Sequence, residues 1–248
     1  MRYLITVSYD GSKFFGFQKL NNNVTVQGEL ENALSKINKS HVYVKGSGRT
    51  DRGVHSLGQR CHFDLDVNVP PKRLINAINS IIMPNMYVAD CEIVSDDFHA
   101  RFNVKRKVYK YIINLGKFDV FKNDYVYNYC NNLDIDSMID ASKYLLGKHS
   151  FKAFVSGNRD NYNSEIYDIK FLKENNYLYI TFVGKSFYRY MVRNLVGALM
   201  LVGKGKITGV MLKDMLDSQY NKYNYMTVPA SGLYLERVDY WWIKMDLL

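Results

Sequence analysis

The spacing of apolar residues switches between a period of two and a period of about 3.6 in an order that occurs twice, and this recurrence limits the possible folds more than any other feature. Alternation marks strands near 2–9, 41–46 and 58–66, with a fourth at 86–94. Between them, Val26 to Ile37 carries Leu30, Ala33, Leu34 and Ile37 at helical spacing, and a second helix fits 71–82, opened by Pro70-Pro71. The order is strand, helix, strand, strand, helix, strand. After a basic stretch at 105–107 it repeats, with a strand at 108–115, a helix at 136–146, strands at 166–173 and 177–184, a helix at 187–203 and a last strand at 233–240. A helix near 207–217 is extra. Two split βαβ units in tandem predict a pseudo-duplicated α/β (α+β) protein. Its mixed sheet should be mostly antiparallel, with helices on one face and a central cleft between halves 1–104 and 105–248. A single irregular α+β domain whose halves only look alike fits the same pattern. Polar segments at 117–134, 155–165 and 218–230 read as surface loops.

With 248 residues, 47% of them apolar, the chain can bury a real core. Lys and Arg number 33 against 24 acidic residues, a net charge of +9, which favours a polyanionic partner, although simple solubility accounts for it equally well. Cys61, Cys91 and Cys130 lie far apart with no zinc-ligand spacing, so no structural metal is expected. The first residues read as a strand rather than a signal peptide, and the longest apolar stretch, Leu195 to Gly203, is too short to span a bilayer. A cytoplasmic protein without membrane contact is the expectation.

Three clusters carry possible chemistry. Gly46 to Gln59 is polar and punctuated by glycine, which lets backbone approach a ligand. Within it Asp51 stands between Arg49 and Arg52, whose charge would keep a carboxylate ionised, as a nucleophile requires. Taken alone, this reads as a solvated salt-bridged turn, and His55 as a structural hydrogen-bonding residue. Asp97-Phe98-His99-Ala100-Arg101-Phe102, followed by Lys105, Arg106 and Lys107 and by Tyr109-Lys110-Tyr111, interleaves cations with flat rings, the mixture that phosphate contacts and base stacking need. A basic edge strand would look the same. In Phe187 to Gly197, Met191 and Leu195 belong to a buried helical stripe that Arg193 interrupts, so Arg193 needs either a partner carboxylate such as Asp51 or an exposed face. No Walker loop, HExxH, GxSxG or EF-hand pattern is present in the sequence.

Read in order, these clusters resemble the TruA family of tRNA pseudouridine synthases. Gly48 to Gln59, GRTDRGVHSLGQ, is similar to that family's catalytic-loop signature. The resemblance extends to Tyr9-Asp10-Gly11, Gly16-Phe17-Gln18, Val26-Gln27, Phe98-His99-Ala100-Arg101, Met191-Val192-Arg193-Asn194 and Gly232-Leu233-Tyr234-Leu235, and so covers nearly the whole chain. It implies isomerisation of uridine to pseudouridine at positions 38, 39 and/or 40 of the tRNA anticodon stem-loop, with no cofactor and no metal, by a homodimer that binds tRNA in the central cleft. Asp51 would be the nucleophile, Arg193 its basic partner and Tyr109 the ring that stacks on the flipped base. Arg49 would replace that base. Arg52, Phe98, His99, Arg101, Lys105, Arg106, Lys107 and Leu233 would bind substrate. Departures are Arg52 where many relatives have alanine, Phe17 for a common tryptophan, and Tyr190 where His or Asn is frequent. A non-catalytic RNA-binding protein or RNA chaperone, and a pseudouridine synthase with a different RNA target, are the alternatives.

Overall fold

A computed structural model describes residues 1–241. In chain order the elements are β1 (Arg2–Tyr9), α1 (Val26–Asn38), β2 (Lys45–Gly46), β3 (His55–Asp64), α2 (Pro71–Ile82), β4 (Met86–Val94), β5 (Val104–Asn114), β6 (Tyr127–Asn128), α3 (Ile135–Ser142), β7 (Gly147–Ser150), β8 (Asn163–Glu174), β9 (Tyr177–Gly184), α4 (Met191–Gly203), α5 (Gly209–Ser218) and β10 (Leu233–Tyr240). This is a mixed α/β protein with mostly antiparallel pairing. The chain divides into two units, one formed by Met1–Lys105 with the described residues from Tyr234, the other by Arg106–Leu233.

In the first unit the strand order is β4-β1-β3-β10, antiparallel except for the β3 and β10 pair, where Tyr234 lies beside His55. One sheet face carries Tyr3, Ile5, Val7, Cys61, Phe63 and Val88 against Val26, Leu30 and Leu34 of α1 and Leu74 and Ile78 of α2. The helix starts follow local chemistry. Thr25 Oγ1 accepts from the Gly28 N–H at the head of α1, and Pro71 opens α2, where a missing N–H costs nothing. The expected strand at 41–46 is reduced to Lys45–Gly46. Side chains of α1 have taken the place of a strand ladder there: the Val42 N–H donates to Ser35 Oγ at 3.0 Å and the Val44 N–H to Glu31 Oε1 at 3.2 Å. Glu31 is only 2% exposed and is held by Lys19 and Gln27 at 3.0 and 2.9 Å, so its buried charge is paired.

In the second unit the order is β5-β9-β8-β7, antiparallel throughout, with β6 parallel to β5. The strand expected at 108–115 begins at Val104, so the basic stretch is part of β5 rather than a linker before it. By alternation Lys105, Lys107, Tyr109 and Tyr111 share one face of that strand. The helix expected at 136–146 ends at Ser142 and tightens into a 3₁₀ turn at Lys143–Leu145. The helix expected at 187–203 starts at Met191, because Tyr190 takes a left-handed conformation with φ 61°.

Candidate active site

Asp51 sits in the connection from β2 to β3, where the chain leaves a two-residue strand and re-enters a ten-residue one. Its carbonyl accepts the Val54 N–H at 3.1 Å, closing a turn whose third residue, Gly53, has φ 81°. The loop is fixed from beneath. Thr50 shares a 2.8 Å hydrogen bond with the Tyr9 hydroxyl, and its carbonyl accepts from the Phe17 N–H at 3.1 Å. Ser47 Oγ donates to Gln59 Oε1 at 2.6 Å, and Gln59 Nε2 donates to the Gly48 carbonyl at 2.9 Å. Burial pushes the Tyr9 phenol above its ordinary range, so Tyr9 is a neutral strut. Gly11 and Gly16 let a second segment lie against this loop. A Cβ on Gly11 would stand 2.1 Å from the Val54 carbonyl oxygen, and one on Gly16, at φ +95°, 3.0 Å from that of Thr50.

The result is a partly exposed Asp51 on a rigid support, flanked by the exposed Arg49 and Arg52. The Arg52 guanidinium lies 4.2 Å from the Phe15 ring centroid, a cation–π contact at the surface. His55 is 2% exposed; its Nδ1 accepts the Gly11 N–H at 3.1 Å and its ring stacks on Tyr234 at 4.7 Å. With Nδ1 accepting the Gly11 N–H, it cannot also give a proton to Asp10 Oδ1 at 3.4 Å, and the bond it accepts ties Gly11 to the start of β3.

Residues 96–103 cross the open face of the first unit's sheet and are pinned at several points. Arg2 Nη1 donates to the carbonyls of Asp96 and Phe98, the Ala100 N–H donates to His62 Nδ1 at 3.1 Å, and the Tyr240 hydroxyl donates to the Ala100 carbonyl at 2.7 Å. Phe98, 3% exposed, packs edge-on against Tyr240 and His62 and is a core residue. His99 is half-buried, its ring 4.3 Å from that of Phe102, while Arg101 and Phe102 are exposed. Lys105 Nζ lies 4.7 Å from the Trp241 ring. Arg106 and Lys107 are partly exposed on β5.

In the second unit Tyr109 is nearly buried and meets the Phe187 ring edge-on at 5.2 Å. Arg193 is the third residue of α4, where a cation opposes the helix dipole, and it is half-buried. Its Nε donates to the Val228 carbonyl at 2.7 Å, and its guanidinium lies 4.9 Å from the Tyr190 ring. Val228 belongs to a strap at 225–229 laid along α4. Thr227 Oγ1 donates to Asn194 Oδ1 at 2.6 Å, and the Tyr111 hydroxyl donates to the Pro229 carbonyl at 2.7 Å. The strap passes so close to Gly197 that a Cβ there would stand 2.0 Å from the Met226 carbonyl oxygen. Burial raises the Tyr111 phenol well above its ordinary range, a rise that the positive charge of Arg193 partly offsets. Leu233 is buried at the entry to β10. The sequence marked Arg193 but not the strap, whose residues read only as polar loop.

Residues 5–103 and 141–241 match the family profile described as tRNA pseudouridine synthase, and the chain belongs to that family of RNA-modifying isomerases. Curated relatives narrow the kinship. A protein named tRNA pseudouridine synthase A from Thermosipho melanesiensis is 40% identical over 244 residues, spanning 96% of this chain and 98% of the relative. Proteins of the same name from Anoxybacillus flavithermus and Malacoplasma penetrans are 38% and 39% identical, covering 96% and 97% of this chain and 98% and 100% of their own lengths. Among the described residues, no helix is long and apolar enough to cross a membrane, and no group of three or more His, Cys, Asp or Glu is placed to hold a metal ion.

Proposed function

We propose that the protein isomerises uridine to pseudouridine at positions 38, 39 and/or 40 of the tRNA anticodon stem-loop, with Asp51 as the nucleophile. The observation that carries this reading is the loop around Asp51. A carboxylate is presented on a scaffold of buried hydrogen bonds while its arginine neighbours remain exposed, which is what a nucleophile needs when it must meet a polyanion. A paired and stacked uridine hides its glycosidic bond, so the target must leave the stack before Asp51 can reach it. Arg49 occupies the vacated position. The carboxylate bonds to the nucleotide, the bond from ribose to nitrogen breaks, the uracil turns, a ring carbon takes nitrogen's place at the ribose, and the bond to Asp51 breaks to return the free carboxylate. That carbon loses its proton, and the released nitrogen ends protonated.

In this reading Tyr109 stacks on the flipped base and Arg193 is the basic partner of Asp51. Arg52, Arg101, Lys105, Arg106 and Lys107 contact phosphates, and His99 lies beside them. Phe98 and Leu233 act through packing. The enzyme works without a cofactor, as a cytoplasmic homodimer that binds tRNA.

The test compares wild type with Asp51→Asn on an unmodified tRNA transcript, with chelator present and nothing else added. Pseudouridine at positions 38 to 40 that vanishes in the variant, while tRNA still binds, is the expected result. A folded wild type that binds tRNA but forms no product would sink the proposal and favour a chaperone or another RNA target.

A further inference from the structure

Tyr190 occupies a position for which its residue type is poorly suited. It precedes α4 with φ 61° and ψ −1°, a left-handed conformation that Gly and Asn adopt readily and a bulky aromatic residue does not. It caps nothing: no side-chain oxygen meets the first N–H groups of the helix, as Ser, Thr, Asp or Asn would provide. Nothing in the start of the helix therefore calls for tyrosine. The ring lies elsewhere. The guanidinium carbons of Arg189 and Arg193 each lie 4.9 Å from its centroid, and Arg189 Nη2 also donates to the Tyr190 hydroxyl at 3.4 Å.

For Arg193 this contact completes a clamp. Its Nε is taken by the Val228 carbonyl at 2.7 Å, and that carbonyl is fixed by the strap through Thr227 on Asn194 and Pro229 on Tyr111. One hydrogen bond at Nε leaves rotation about the outer bonds of the side chain. A ring 4.9 Å from the guanidinium carbon restricts that rotation and sets where the Nη edge points. An Nη edge held in one direction is what a planar fork needs to meet an anion in bidentate fashion.

We propose that Tyr190 is a positioning residue whose ring fixes the guanidinium of Arg193 in its working orientation. The role rests on the reading of Arg193 as a functional cation, and it acts on turnover through Arg193 alone.

Four variants of the full chain, Tyr190→Phe, Tyr190→Leu, Tyr190→Asn and Arg193→Ala, and the double variant of Leu with Ala, are assayed for pseudouridine formation on a tRNA transcript and for thermal unfolding. Losing the ring should lower kcat roughly fivefold to tenfold in the Leu and Asn variants, with KM little changed. The Asn variant should unfold no earlier than wild type, because asparagine tolerates the backbone there, so its lost turnover is not lost stability. Phe should restore most of kcat, and the double variant should be no slower than Arg193→Ala. Wild-type kcat in both Leu and Asn, or a Phe variant as slow as Leu, would overturn the role of the ring while leaving Arg193 in place if Arg193→Ala is inactive. Wild-type turnover in Arg193→Ala would overturn both readings together.

Discussion

Replacing Gly197 by alanine sets two effects of opposite sign against each other. In the interior of a helix, Gly to Ala ordinarily stabilises by about 1 kcal/mol through backbone entropy and propensity. Gly197 lies midway along α4, so propensity alone predicts a gain. The structure predicts a loss. A Cβ there would stand 2.0 Å from the Met226 carbonyl oxygen, whereas ordinary contact begins at 3.4 Å, and the obstacle is backbone rather than the end of a flexible side chain. The strap at 225–229 must retreat by more than about 1 Å, and crowding of this kind costs roughly 1–3 kcal/mol. Retreat also stretches the bonds of Thr227 to Asn194, Tyr111 to Pro229 and Arg193 to Val228, each worth about 0.5–1.5 kcal/mol or somewhat more for the charged donor. Against a gain of about 1 kcal/mol, the balance is a destabilisation of roughly 2 kcal/mol. In a chain of this size that lowers the melting temperature by about 4–8 °C. Chemical and thermal unfolding of Gly197→Ala measure it, with Gly203→Ala as the comparison. There the new Cβ meets the Met138 side chain at 2.6 Å, which can turn away, and the loss should be smaller. A Gly197→Ala midpoint at or above that of wild type would refute the claim that the strap is pressed onto the helix.

Two further outcomes are expected. His62 is drawn down to about 4 by burial first and then by the positive charge of His99 and Arg2, below its ordinary 6.5, so it is neutral in the fold and accepts the Ala100 N–H. The unfolded chain therefore takes up this proton first, and the stability His62 contributes is full above about 6.5 and lost as pH falls toward 4. His62→Gln should flatten the fall in unfolding midpoint between pH 7 and 4, and an unchanged slope would refute the assignment. Lys107 lies partly exposed on the same β5 face as Tyr109, so Lys107→Ala should weaken tRNA binding and reduce the slope of log affinity against log salt by about 1. Parallel salt lines for variant and wild type would remove Lys107 from the phosphate contacts.

The reading of the sequence succeeded where a signal is local. Leu30, Ala33 and Leu34 announce the buried stripe of α1, Pro70-Pro71 announces α2, and the glycine-punctuated stretch around Asp51 announces a loop between strands. It failed where distant residues decide the local outcome. Val42 and Val44 alternate like a strand, yet their N–H groups are claimed by Ser35 and Glu31 of α1. Lys105 to Lys107 reads as a basic stretch ahead of the strand but belongs to β5, where β9 offers Gly184 as a partner to Lys107. Phe98 reads as part of a basic and aromatic surface, and Tyr240, 142 positions later in the chain, turns it into core.

The sequence by itself determined much of the alternation of strands and helices, because the spacing of apolar residues along the chain specifies it, and the resemblance of its motifs pointed to the family and to Asp51, Tyr109 and Arg193 as candidate groups. The tertiary structure alone decided how those groups are held. Arg193 receives its carbonyl from Val228, 35 residues away, and the Asp51 loop leans on Tyr9 and Phe17 from another segment. Neither partner leaves a mark on the periodicity around the residue it supports, because a backbone carbonyl or a turn glycine is recognised by its position in space and not by any pattern along the chain.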